Sequence, residues 1–137
     1  MDNPQIELAR QIIETTDTHL FLTGRAGTGK TTFLRRLRTE SPKRMVVLAP
    51  TGIAAINAGG VTIHSFFQLS FAPYIPGTKV PTSYAMTKQK IALIKSIDLL
   101  VIDEISMVRA DLLDAVDYAL RKYRRNSKPF GGVQLLL

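Results

Sequence analysis

The sequence contains no cysteine. That excludes disulfides and thiolate metal sites, and it fits a reducing compartment. No apolar run approaches the ~20 residues that a membrane-spanning helix requires. The opening Met1-Asp2-Asn3-Pro4 is polar and lacks the basic start and apolar stretch of a secretion signal. A cytosolic or nucleoid-associated protein without membrane contact is expected. Acidic residues are scarce beside basic ones, 11 against 18, giving a formal net charge of +7. Such an excess favours an anionic partner (nucleic acid, nucleotide or an acidic membrane), and it equally suits a surface that is only soluble and basic. There is no internal repeat and no low-complexity tract. What remains is 137 residues, 45 % of them apolar. That suits one domain burying roughly two-thirds of its unfolded surface.

Along the chain, apolar strands alternate with helical segments. Asn3 and Pro4 form a helix start, and Ile6, Ala9, Ile12 and Ile13 give the stripe behind it. Residues 15–18 break that pattern, and Leu20-Phe21-Leu22 reads as a buried strand. A glycine-rich turn over 24–31 leads into a helix over 32–38, which Ser41-Pro42 ends. Residues 45–49 form a second buried strand, closed by Pro50. A small-residue stretch over 51–58 stops at Gly59-Gly60. Residues 61–69 read as a short strand or turn and then a short helix. Four loop residues, Pro73, Pro76, Gly77 and Pro81, mark 71–84 as a loop or small insert. A helix follows over 87–96, a third buried strand over 99–102, and an amphipathic helix over 110–124. A loop over 126–132 precedes a fourth strand over 133–137. Continuously apolar strands alternating with helices predict an α/β fold, with a parallel sheet covered on both faces. The last apolar run has no helix after it, which reads as a fragment of a longer protein.

Gly24-Arg25-Ala26-Gly27-Thr28-Gly29-Lys30-Thr31 matches the phosphate-binding pattern G-x-x-x-x-G-K-[ST] in full. Glycines let the backbone curl so that successive N–H groups face phosphate oxygens. The following helix adds its positive dipole end. Lys30 supplies a point charge for the β- and γ-phosphates, and Thr31 a hydroxyl for Mg²⁺. The strand before the loop and the helix after it are the context that the pattern requires. Leu99-Leu100-Val101-Ile102-Asp103-Glu104 is its acidic partner. The buried strand delivers Asp103 to the sheet's end as a Mg²⁺ ligand. Glu104 is placed to orient and deprotonate water. Alone, this could be a strand ending in a solvated acidic turn. After the full phosphate loop, the pair favours ATP hydrolysis over transfer to a small acceptor.

Four segments in order carry a resemblance. Residues 24–31 resemble motif I of superfamily 1B helicases. Residues 49–57, followed by Gly60-Val61-Thr62-Ile63-His64-Ser65-Phe66-Phe67, closely resemble the motif Ia region of the Pif1 family. Residues 102–108 resemble its motif II, and Phe130-Gly131-Gly132-Val133-Gln134 the approach to its motif III. The likeness runs from about Gln5 to the last residue. It implies a P-loop NTPase domain of the RecA-like kind, covering 1–137 as a truncated first motor domain, with a small wedge-like insert at about 71–85. ATP and Mg²⁺ are the implied cofactors, with Gln5, Gly24, Ala26, Gly27, Thr28, Gly29, Lys30, Thr31 and Thr32 around the nucleotide. Gln5 is similar to the family's adenine reader, with Gln11 as its rival. Pro50, Thr51, Gly52, His64 and Ser65 sit where the family contacts single-stranded DNA, and hydroxyls and backbone amides suit phosphate contacts. Phe66 and Phe67 read as core. Tyr74 and Tyr84 either stack on bases or pin the insert.

Two basic clusters, residues 35–44 and 121–128, are either nucleic-acid contacts or solvated helix faces. The resemblance further implies 5′-to-3′ movement, a role in DNA repair, recombination or replication and telomere maintenance, and a monomer. Its location would be the bacterial nucleoid, or the nucleus or mitochondrion of a eukaryote. A second motor domain with an arginine finger would complete it. Without that finger, worth about 10³–10⁵ in rate, this segment is expected to hydrolyse ATP slowly and not to unwind DNA. The rival readings are a small-molecule kinase, a signalling GTPase, another superfamily 1B helicase of the RecD or TraA kind, and a nucleotide-binding module without motor activity. Asp103-Glu104-Ile105-Ser106 argues against the kinase, and the lack of an Asn-Lys-x-Asp guanine reader against the GTPase. The segment 62–66 favours Pif1 over its RecD-like and TraA-like cousins.

Overall fold

The computed structural model describes residues 4–22, 30–69, 75 and 86–137, with the backbone alone at Lys30 and Thr31. The phosphate loop over 24–29 and nearly all of the proposed insert, Tyr74 and Tyr84 included, lie outside the described residues.

Helix α1, Pro4–Thr15, is followed by α2, Lys30–Glu40, and strand β1, Met45–Ala49. Then come α3, Gly52–Ala58; β2, Val61–Thr62; α4, Ile63–Phe67; and α5, Lys88–Ser96. Strand β3, Leu99–Ile102, helix α6, Ala110–Arg124, and strand β4, Gln134–Leu136, complete the order. The four strands form one sheet in the order β2-β1-β3-β4, and every pairing is parallel. The predicted first strand, residues 20–22, is not a full strand. It adds to the β4 edge through one parallel bridge, Leu20 to Leu136, and the Leu22 N–H donates to the Leu137 carbonyl at 2.8 Å. The loop expected over 126–132 contains a 3₁₀ turn, Pro129–Gly132.

Alternation along the strands divides the core in two. Val47, Leu99, Val101 and Leu136 face one side, where Ala9 and Ile13 of α1 and Phe33, Leu34 and Leu37 of α2 cover them. Leu48, Leu100, Ile102 and Leu135 face the other, against Phe66 and Phe67 of α4, Ile94 of α5 and Val116 and Leu120 of α6. Both strand faces are covered, which is why these strands read as unbroken apolar runs.

Glycine is required where α3 turns into β2. Gly59 closes α3 in the left-handed region at φ 70°, and a Cβ on Gly60 would lie 2.1 Å from the Val47 carbonyl oxygen. The Arg38 guanidinium donates to the Gly59 carbonyl at 2.8 Å, and the Gly60 N–H to the Ala55 carbonyl at 2.9 Å.

Where the strands start, side chains stand in for backbone. The Gln134 amide donates to the Thr18 carbonyl at 2.8 Å, and the Leu135 N–H donates to Nδ1 of His19 at 3.0 Å. The imidazole therefore carries its proton on Nε2 when neutral. Gln134, 1 % exposed, also accepts from the Lys43 ammonium at 2.7 Å. Lys43 in turn donates to the Thr16 carbonyl at 2.5 Å. On the other side, Arg124 donates to the carbonyls of Ile94, Lys95 and Ile97, and to that of Gly131, satisfying the open end of α5. Lys43 and Arg124, counted in the sequence among the basic clusters, are thus fasteners of the fold. Replacing Gln134 with Leu leaves the Thr18 carbonyl unpaired and is expected to cost about 1–3 kcal/mol. The check is urea unfolding, and an unshifted midpoint would show that the Gln134 junction carries no weight.

Candidate functional site

Parallel strands place all their C-terminal ends on one edge of the sheet. Residue 22, Ala49, Thr62 and Ile102 therefore bring the segments that follow them to a common rim. At Ile102 the pairing runs one step further, because the Asp103 N–H donates to the Leu48 carbonyl at 2.9 Å. This fixes Asp103 beside the end of β1, half-buried. The next residue, Glu104, is exposed and left-handed, at φ 56° and ψ 46°. A non-glycine residue rarely occupies that region. The turn lifts the Glu104 carboxylate out of the sheet's end and starts a 3₁₀ turn, Ile105–Met107.

The phosphate loop is bounded by residue 22 on that rim and by Lys30, the first residue of α2. Of the loop residues themselves, Gly24, Ala26, Gly27, Thr28 and Gly29 lie outside the described set. Thr32 is exposed in the first turn of α2. Helix α1 runs toward the strand-start edge, where residue 16 meets Lys43, so its beginning lies at the rim end. Gln5 is exposed there, in the first turn. It shares the i, i+4 row of Ala9 and Ile13 that packs toward α2, whereas Gln11 points about 160–200° away.

Beside the acidic pair, Pro50 ends β1 and Thr51 caps α3, its hydroxyl oxygen accepting from the Ala54 N–H at 3.2 Å. That bond uses a lone pair and leaves the O–H free to donate. A Cβ added at Gly52 would meet nothing within 4 Å. Packing does not demand glycine there, and the open face admits another chain's backbone. Thr62 caps α4 in the same way, accepting from the Ser65 N–H at 3.1 Å. Ser65 is exposed and His64 half-buried. Phe66 and Phe67 are buried edge to face, with centroids 4.9 Å apart, and the Lys90 ammonium covers the Phe66 ring at 4.4 Å. They are core, as their sequence position indicated.

Burial pushes the His64 imidazole below its ordinary pKa, and the Arg109 guanidinium pushes it further the same way. Arg109 has no place in the motif reading. It precedes α6 and makes no side-chain cap bond, pairing instead with Asp111 at 3.2 Å. A cation at a helix N-terminus opposes the dipole, and that was the one signal in the sequence that could have drawn attention to it. Nothing in the sequence marks the left-handed turn at Glu104. Among the described residues no three of His, Cys, Asp and Glu gather as a metal cage, and no helix is long and apolar enough to cross a membrane.

A family model described as PIF1-like helicase matches residues 2–137. The ATP-dependent DNA helicase PIF1 of Saccharomyces cerevisiae strain YJM789 is 39 % identical over 123 residues, covering 86 % of this chain and 14 % of its own. A Pif1 helicase from Bacteroides, solved in complex with ADP-AlF3 and ssDNA, is 44 % identical with a TM-score of 0.91, over 99 % of this chain and 31 % of that one. A structure of two coordinating Pif1 helicases at forked dsDNA is also 44 % identical, with a TM-score of 0.92, over 99 % of this chain and 32 % of that one. The fold is that of their RecA-like motor domain, as expected from the residues. The chain spans about a third of the length of these solved relatives and about a seventh of the yeast one. With most of its length matched by the family model and by relatives well above a third identical, the chain belongs to the PIF1-like helicase family.

Proposed function

We propose that this chain is the ATP-binding motor segment of a Pif1-like ATP-dependent DNA helicase that moves on single-stranded DNA, with 5′-to-3′ polarity and a role in DNA repair, recombination or replication and telomere maintenance. The observation that carries the proposal is the shared rim: Lys30 at the start of α2, Asp103-Glu104, Pro50-Thr51-Gly52 and His64-Ser65 all lie at one edge of one sheet. Nucleotide chemistry and a strand track are therefore adjacent. Lys30 neutralises the β- and γ-phosphates. Gln5, exposed at the rim end of α1, reads the adenine. Glu104 accepts a proton from the attacking water and holds that water in line, while the backbone bond from the Asp103 N–H to the Leu48 carbonyl keeps Asp103 in place. Mg²⁺ would be held by Thr31 and Asp103, leaving most of its ligands to phosphate and water, which is the coordination Mg²⁺ prefers. When bound it spreads the charge that builds on the phosphates. Thr51 and Ser65 donate hydroxyl protons to DNA phosphates, and Gly52 leaves room for the strand.

Residues 1–137 form the first motor domain on this reading, with the wedge-like insert at about 71–85, and a second motor domain of the longer protein supplies the arginine finger. The expectation of a monomer finds no support among the relatives, one of which acts as two coordinating helicases. The location follows the DNA, in a nucleoid, nucleus or mitochondrion.

Lys30→Ala is expected to abolish most binding of a fluorescent ATP analogue in Mg²⁺; unchanged affinity sinks the nucleotide assignment. In the longer protein, Glu104→Gln should keep ATP binding and lose at least about 10²-fold in hydrolysis rate. Retained turnover would assign the base elsewhere. The depressed pKa of His64 means that the folded state favours the neutral ring. Its contribution to stability is complete above the ordinary pKa of about 6.5 and is lost as pH falls through the lower folded value. Thermal melts from pH 7.5 to 5.5 should therefore drop more steeply for the parent chain than for His64→Gln; equal slopes would refute this.

A further inference from the structure

Helices α5 and α6 both run away from the rim, so their C-terminal ends meet at the opposite edge of the sheet, where Arg124 ties them together. With 15 residues, α6 spans about 22 Å, and that edge lies about as far from Asp103. Cations collect there. Residues 118–137 hold five basic side chains and no acid, and α5 carries three lysines and no acid. Arg44, Lys95, Arg121, Lys122, Arg125 and Lys128 are all exposed at this end. The carboxylates at this edge are engaged: Asp98 accepts from the Arg44 N–H at 2.9 Å, Asp117 pairs with Arg121 at 2.9 Å, Asp17 pairs with Lys43 at 3.7 Å, and Glu14 and Glu40 both pair with Arg10. The dipole of α6 accounts for one or two cations in its last turn. It accounts neither for Lys128 beyond the helix nor for Lys95 and Arg44 on other elements.

We propose that this strand-start edge is a second nucleic-acid surface, one that holds the phosphate backbone of a duplex. Charge density points to nucleic acid, because duplex DNA carries one negative charge per roughly 1.7 Å of axis. The lack of stacking groups points to a duplex. The aromatic side chains at this end are half-buried, Tyr123 beneath the Lys122 ammonium at 5.3 Å and Phe130 against His19. Single-strand sites rely on exposed aromatic rings to stack bases. Among the described residues no exposed Phe, Tyr or Trp is offered at this end, and the exposed His19 is held by the Leu135 N–H on its Nδ1 and by its edge contact with Phe130. A surface of flexible cations alone positions a backbone and reads no sequence. The surface is independent of the track proposed at the rim, which lies at the other end of the sheet.

The test is fluorescence anisotropy of a short labelled DNA duplex titrated with the 137-residue chain over a range of salt. Lys122→Glu/Lys128→Glu is compared with Arg35→Glu/Lys88→Glu, which reverses the same number of exposed charges elsewhere. The first pair is expected to weaken duplex binding sharply and to reduce the slope of log affinity against log salt by about 2. The control pair should stay near the parent chain, and nucleotide affinity should be unchanged in both. Lys122→Gln/Lys128→Gln should show the same loss of slope without introducing repulsion. The proposal is overturned if the parent chain does not bind duplex at low salt, or if both reversed pairs lose equally, since net charge would then explain everything. It is also overturned if vesicles rich in phosphatidylserine bind the parent chain while the duplex does not.

Discussion

Every strand in this sheet runs the same way, and most of what the molecule can do follows from that. Parallel neighbours cannot be joined by a tight turn, so each return needs a crossover. The crossovers cover both faces, which lets Leu99-Leu100-Val101-Ile102 be apolar without interruption. They also sort the ends. All segments leaving the sheet lie on one edge, and all segments entering it lie on the other.

The two edges are built differently. The entering edge is fastened by polar side chains with several partners each, Gln134, Lys43 and Arg124, together with a histidine nitrogen in place of a ladder carbonyl. The leaving edge has few such fasteners among the described residues. It has instead a left-handed glutamate, an uncovered glycine and hydroxyls whose acceptor side alone is used. Polar capacity is consumed at the entering edge and left available at the leaving one.

That division explains what the amino-acid order disclosed. Strands and helices were legible because burial imposes a local period, and the stop at Gly59-Gly60 because a left-handed cap and a close approach both select glycine. The acidic pair stood out because it ends a buried apolar run, and it does follow β3 directly; the phosphate loop over 24–29 lies outside the described residues. The roles of Lys43, Arg124, His19 and Gln134 were not legible. Apart from Gly131, seven residues from Arg124, their named partners lie 27 to 116 residues away, and a basic residue reads the same whether it faces a phosphate or a carbonyl. The segment over 20–22 looked like a full strand because its apolar run is one, yet it pairs at the sheet's margin through a single bridge. That Gln5 and Gln11 point in different directions from the buried side of α1 showed only once the helix had one.

The link between α3 and β2 has a mechanical meaning. Gly60 lies against β1 with no room for a side chain, and Arg38 and Ala55 grip the same turn. The hydroxyls at residues 51 and 65 therefore sit at a fixed spacing, like two teeth on one jaw. If a strand of DNA lies across them, this domain cannot stretch or shorten its grip. Any ratchet step along the strand would come from a change of distance between this jaw and another, and not from within it.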